Sequence, residues 1–138
     1  MKQKIVVLGL LIFVLFSCDS SPKQHIAKKW RISVEEMVKL LPKDKRELYN
    51  KYTEEQKKEA KLAMESAIWE FKEDGNFELT NKNDKSKPKI KGKWSLSEDN
   101  KSLTITSEGK QDVMRVSHIS ANKLIIEGEN GFVFVPAK

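Results

Sequence analysis

The sequence predicts a mainly β fold: a small antiparallel up-and-down barrel of about eight strands, with a helical insert after the first strand. Three observations predict it. From Ile68 onward, apolar residues recur at every second position. Short turn signals separate these runs. Between an early β-like run and Ile68, apolar residues recur instead at helical spacing.

Taken in chain order, the first strand is predicted over Ile26 to Ile32, which ends in the β-formers Trp30-Arg31-Ile32. Ser33 followed by Glu36 is a capping-box pair, and Val34, Met37, Val38 and Leu41 then share one helix face until Pro42 stops it. Asp44 with Glu47 opens a second short helix carrying Leu48 and Tyr52. Thr53 with Gln56 opens a third, whose small apolar face is Ala60, Ala63, Met64 and Ala67. The insert spans about residues 33–67 and is expected to cap an opening of the barrel, or the gap between its first two strands.

The period then changes to two. Trp69 and Phe71 lead to a hairpin turn at Glu73-Asp74-Gly75-Asn76, where Asp-Gly tolerates positive φ. Phe77 and Leu79 follow, then a Lys-rich polar loop from Asn81 to Lys89. Ile90, Gly92, Trp94 and Leu96 alternate, as do Leu103 and Ile105. Val113–Ile119, Lys123–Glu127 and Gly131–Val135 complete the series. The linkers are short enough for sequential strands to lie antiparallel beside one another.

The N-terminus carries a different signal. Lys2 and Lys4 precede an uncharged run from Ile5 to Phe16, which ends at Leu15-Phe16-Ser17-Cys18. The run has about twelve residues, whereas a membrane-spanning helix needs roughly twenty. A basic start, a short apolar stretch and a small residue before the cut make a signal peptide. The closing tetrapeptide resembles the lipobox of bacterial lipoproteins. The expected organisation is a signal peptide over 1–17, a lipidated Cys18 with a tether over 18–24, and one domain over 25–138. Cys18 is the sole cysteine. It therefore has no internal disulfide partner, and thioether attachment of diacylglycerol accounts for it. The expected partner is thus a membrane, reached through the lipid.

Removing Lys2 and Lys4 takes the formal net charge from +6 to +4. The excess is nearly all Lys, with only Arg31, Arg46 and Arg115. That describes a solvated surface and not a phosphate-reading one, so nucleic acid is not an expected partner. No enzyme is expected either. His25 and His118 have no metal-ligand spacing and no Cys to join them. Ser117 and Ser120 near His118 lack a nucleophile-elbow motif, and no Gly-rich phosphate loop is present. No cofactor is expected.

Four segments resemble the lipocalin-like domains of exported Bacteroidetes lipoproteins: Ile26–Ile32, Trp69–Phe77, Gly92–Ile105 and Ile119–Ile126. The Gly92-Lys93-Trp94-Ser95-Leu96 stretch, with its following turn and strand, is the most specific. Lipocalin-type proteins often carry Gly-x-Trp in the first strand, where this chain has Lys28-Lys29-Trp30. The resemblance implies the barrel, loosely implies binding of an apolar small molecule, and implies no catalytic residue. The residues after Cys18 lack the acidic run that resembles a surface-export signal, so the expected location is the cell envelope, on the periplasmic face of the outer membrane.

The inward set includes Trp30, Trp69, Phe71, Trp94, Met114 and Phe132, with His118 as a polar member on the Met114–Val116 face. These are the candidate ligand-binding residues. In a small barrel such side chains either fill the interior or line a cavity, and a filled interior is the plainer reading. Two functions stay open: a ligand-binding barrel with the helices as a lid, or a partner-binding envelope lipoprotein with a solid barrel.

Overall fold

Ile32 pairs with Phe134, and that pairing of the first strand with the last closes the sheet on itself. The computed structural model describes residues 21–128 and 131–138, so the expected signal peptide and lipidated Cys18 lie outside the described residues. Its elements are α1 (Pro22–Ile26), β1 (Lys29–Ile32), α2 (Val34–Leu40), α3 (Lys43–Asn50), α4 (Glu54–Glu65), β2 (Ala67–Phe71), β3 (Asn76–Asn81), β4 (Ile90–Leu96), β5 (Ser102–Ser107), β6 (Lys110–Ile119), β7 (Leu124–Glu127) and β8 (Phe132–Pro136). Among the described residues the eight strands form a closed barrel in sequence order, every neighbour antiparallel. Among the described residues, all the strand pairings and the core cluster fall within residues 26–136.

The first strand is shorter than its sequence suggested. Residues 22–26 form a helix, because Pro22 occupies its first turn and Ser21 and Gln24 make a reciprocal capping box. This helix overlaps residues 22–24 of the stretch read as a tether. Ile26 is fully buried in the core, and its carbonyl accepts the Trp30 indole N–H at 2.8 Å. Lys23 lies 5.8 Å from the Trp94 ring centre. Helix α1 thus plugs the end of the barrel where β1 begins and β4 finishes.

The inserted helices sit on the outside. Ser33 caps α2 through the Glu36 N–H, and Thr53 with Gln56 caps α4, as their sequences imply. The start of α3 differs, since Pro42 precedes it and no side chain caps it. Leu48 and Tyr52 remain exposed. Helix α2 packs on β8, and α4 packs on β1 and β2. The Glu65 carboxylate accepts the Val34 N–H at 3.1 Å and lies 3.5 Å from the Arg31 guanidinium, which ties the two helices together. Glu36 pairs with Lys123 at 3.0 Å and fixes α2 to the β6–β7 turn. The expected small face of α4 is only partly used: Met64 packs on the core, Ala63 is exposed and Ala67 already belongs to β2.

Inside the barrel, aromatic rings run in a connected chain. Trp94 meets Phe71 edge-on at 5.5 Å, Phe71 meets Phe77 at 5.2 Å, and Phe77 meets Trp69 at 5.9 Å. Trp69 stands edge-on to Phe134 at 5.3 Å. Such tilted and edge-on pairs contribute about 0.5–1.5 kcal/mol each beyond the area they bury.

Candidate functional site

At the plugged end the interior is solid: Trp30, Phe71, Leu103, Leu124 and Phe134 have essentially no exposed surface. At the other end, where β3 and β5 finish and β4 and β6 begin, packing is incomplete. A cleft of about 360 Å³ opens there. Its walls are Trp69, Phe77, Leu79, Ile90, Ile105 and Met114, and Ser107, Asp112 and Val113 complete its lining. The strand registers explain the set. Trp69 pairs with Leu79 and Leu79 with Ile90, while Ile105 pairs with Asp112 and Leu103 with Met114. Successive strands therefore direct these residues to the same inner face.

The three indole nitrogens behave differently. Trp30 donates to the Ile26 carbonyl and Trp94 to the Lys72 carbonyl, both at 2.8 Å. The Trp69 Nε1 is shielded from solvent and has no acceptor. Leaving such a group unsatisfied costs roughly 1–3 kcal/mol. Among the described residues it is the one buried side-chain polar atom without a partner.

The sequence-based candidates divide accordingly. Trp69 and Met114 line the cleft. Trp30, Phe71 and Trp94 belong to the solid part, and Phe132 packs on Phe134 outside the cleft. His118 corrects the reading most clearly. A β-bulge between Val116 and His118 shifts the register, so His118 pairs with Ile125 and is exposed on the outer wall. Asp112 and Ser107 were missed. Extending the alternation of Met114 and Val116 backward by two residues brings Asp112 to the inner face. None of the cleft's lining residues comes from the helices, so the expected lid is not formed by them.

Several acidic groups are held below their usual carboxylate range, all through structural contacts. The Lys39 ammonium, then that of Lys123, acts on Glu36. The Lys72 ammonium acts on Glu78. In turns, the Asn76 backbone N–H acts on Asp74, the Ser86 hydroxyl on Asp84 and the Ser97 hydroxyl on Asp99. Among the described residues, no group of three or more His, Cys, Asp or Glu side chains is placed to hold a metal. No described helix is long and apolar enough to cross a membrane.

With a closed barrel, a plugged end and an apolar cleft at the other, the comparisons decide the family. The lipocalin-like domain family model matches residues 26–126. The chain belongs to the lipocalin-like domain family. Among solved structures, a DUF4847-family protein from Bacteroides vulgatus has a similar fold, with a TM-score of 0.51 and 14% identity. The match covers 80% of this chain and 93% of that one. No curated protein matches the chain. The lipocalin-like match spans β1 to β7, so Gly92-Lys93-Trp94 and the hairpins of the resemblance fall inside it.

Proposed function

We propose that this lipocalin-like protein is a lipid-anchored envelope lipoprotein that binds a small apolar molecule at the open end of its barrel. The observation that carries the reading is the cleft: walls of Trp69, Leu79, Ile90, Ile105 and Met114 at one end, opposite an end stoppered by Ile26. An apolar recess with a few polar groups is the usual form of a small-molecule site, and its volume lies near the lower limit for such sites. Ligand transfer from water to these walls would supply the affinity, at roughly 25 cal/mol per Å² of apolar surface covered. Binding, not catalysis, is the activity proposed.

Native mass spectrometry of the purified protein tests this directly. The expected result is a co-purifying apolar compound, or one-to-one uptake of N-phenyl-1-naphthylamine, abolished by Ile90→Trp at the cleft's edge. Absence of both would overturn the reading. The partner-binding alternative would then stand on a separate observation, the exposed Leu40, Leu48 and Leu62 on the helices' outer faces.

A further inference from the structure

We infer that the ligand is an uncharged, largely hydrocarbon molecule whose buried end carries one hydrogen-bond acceptor oxygen, as a ketone, ester or alcohol does, and that this oxygen binds the Trp69 indole N–H. The inference rests on the reading of the cleft as a ligand site.

Trp69 supplies the first half of the argument. Of the three indoles in the chain, two donate to main-chain carbonyls and only that of Trp69 lacks an acceptor. Trp69 is one of the residues that line the cleft, and its indole nitrogen has almost no contact with solvent. A buried donor without a partner is costly, and a ligand that supplies the acceptor recovers that cost. A pure hydrocarbon does not. Because the nitrogen is shielded, the oxygen belongs at the end of the ligand that goes in.

The second half concerns charge. A buried carboxylate needs a cation or several donors to replace its hydration. The cleft offers no lysine or arginine among its lining residues. Its one side-chain hydroxyl, on Ser107, already donates to the Lys91 carbonyl at 3.0 Å. Asp112 adds negative charge to the lining. Single-donor geometry beside a carboxylate therefore favours a neutral oxygen over a fatty-acid head. The lysines of the 82–89 loop lie outside the lining.

The test uses the ¹⁵N-labelled protein with three probes of equal chain length: undecane, 2-undecanone and undecanoate. Three indole resonances report separately. The expected result is that 2-undecanone moves the Trp69 indole resonance and leaves those of Trp30 and Trp94 in place. It should also bind more tightly than undecanoate. In Trp69→Phe, affinity for the ketone should fall about three- to tenfold relative to that for undecane, the worth of one net hydrogen bond. Tighter binding of undecanoate overturns the inference. So does a bound ketone that leaves the Trp69 resonance unmoved, or an equal loss for ketone and undecane. If undecane binds but the ketone shows no dependence on Trp69, this inference alone fails. If neither binds, the ligand-site reading fails with it.

Discussion

A Cβ placed on Gly92 would stand 2.2 Å from the backbone carbonyl oxygen of Thr106. The obstacle is main chain, so no side-chain rotation relieves it, and the Ser107 Cβ would stand 3.1 Å from the same added carbon. Gly92 also pairs with Phe77 across β3 and β4. Its lack of a side chain lets β4 press against β5 at the edge of the cleft. Gly92→Ala should therefore force the two strands apart and destabilise the fold by at least about 1–3 kcal/mol. Gly128→Ala provides the control, since nothing among the described residues lies within 4 Å of its added carbon. It should stay within about 0.5 kcal/mol. Urea unfolding of both variants checks the pair, and equal midpoints would sink the close-approach argument.

The stopper and the open end predict opposite responses to the same substitution. Trp30 is fully buried and bonded to the Ile26 carbonyl. Trp30→Phe loses that bond and leaves a void. Trp69→Phe removes an N–H that has no acceptor, so it sheds a penalty of roughly 1–3 kcal/mol while losing some packing. In the absence of ligand, Trp30→Phe should be the more destabilising by about that difference. Ile26→Ala, which empties the stopper, should cost about 2–5 kcal/mol. Chemical denaturation of the three variants ranks them, and a Trp69→Phe loss as large as that of Trp30→Phe would contradict the unpaired N–H.

Acid should weaken the fold through the paired carboxylates. Glu36 is held down chiefly by Lys39 and then Lys123, and Glu78 by Lys72. A carboxylate depressed in the folded state stabilises it above the unfolded-state pKa. That contribution is lost as pH falls through the lower folded value. Stability should thus hold from neutrality down to the ordinary carboxylate range and decline below it. The combined Glu36→Gln and Glu78→Gln variant should show a shallower decline. Urea midpoints across an acid series measure this. An unchanged slope in the variant would mean that these pairs do not carry the pH dependence.

The barrel was legible because its signal is repeated. Alternation from Ile68 to Val135 recurs in every strand after the helices, and Asp74-Gly75 fixes the first hairpin with Gly75 at φ +87°. What escaped was local. The His118 bulge inserts one residue into β6, and alternation carries no marker for such an insertion. The helix at Pro22–Ile26 escaped because a single capped turn is too short to show a period. The cleft itself was half legible. Trp69 and Met114 followed from parity. Whether apolar residues fill a barrel or leave space depends on summed volumes, which periodicity does not encode.

The anchor proposed at Cys18 predicts an orientation as well as a location. Ser21 caps α1, and Pro22 lines one groove with Asn100, Lys101 and Ile119 at the plugged end. Cys18 stands three steps along the chain from Ser21, a reach of at most about 11 Å. A lipid on Cys18 would hold the plugged end against the bilayer and turn the cleft away from it. Ligand would then exchange with the aqueous side, not with the anchoring leaflet. Cys18→Ala should shift the protein from the membrane to the soluble fraction, because two or three acyl chains are what make such attachment nearly permanent. Lipidation of Cys18 would leave no other thiol, so Asn100→Cys and Asn83→Cys could each carry a single fluorophore. In vesicles, a headgroup quencher should dim the label at Asn100 more than the one at Asn83, which sits in the loop after β3 at the open end. The reverse order would place the cleft at the membrane and make the bilayer itself the source of the ligand.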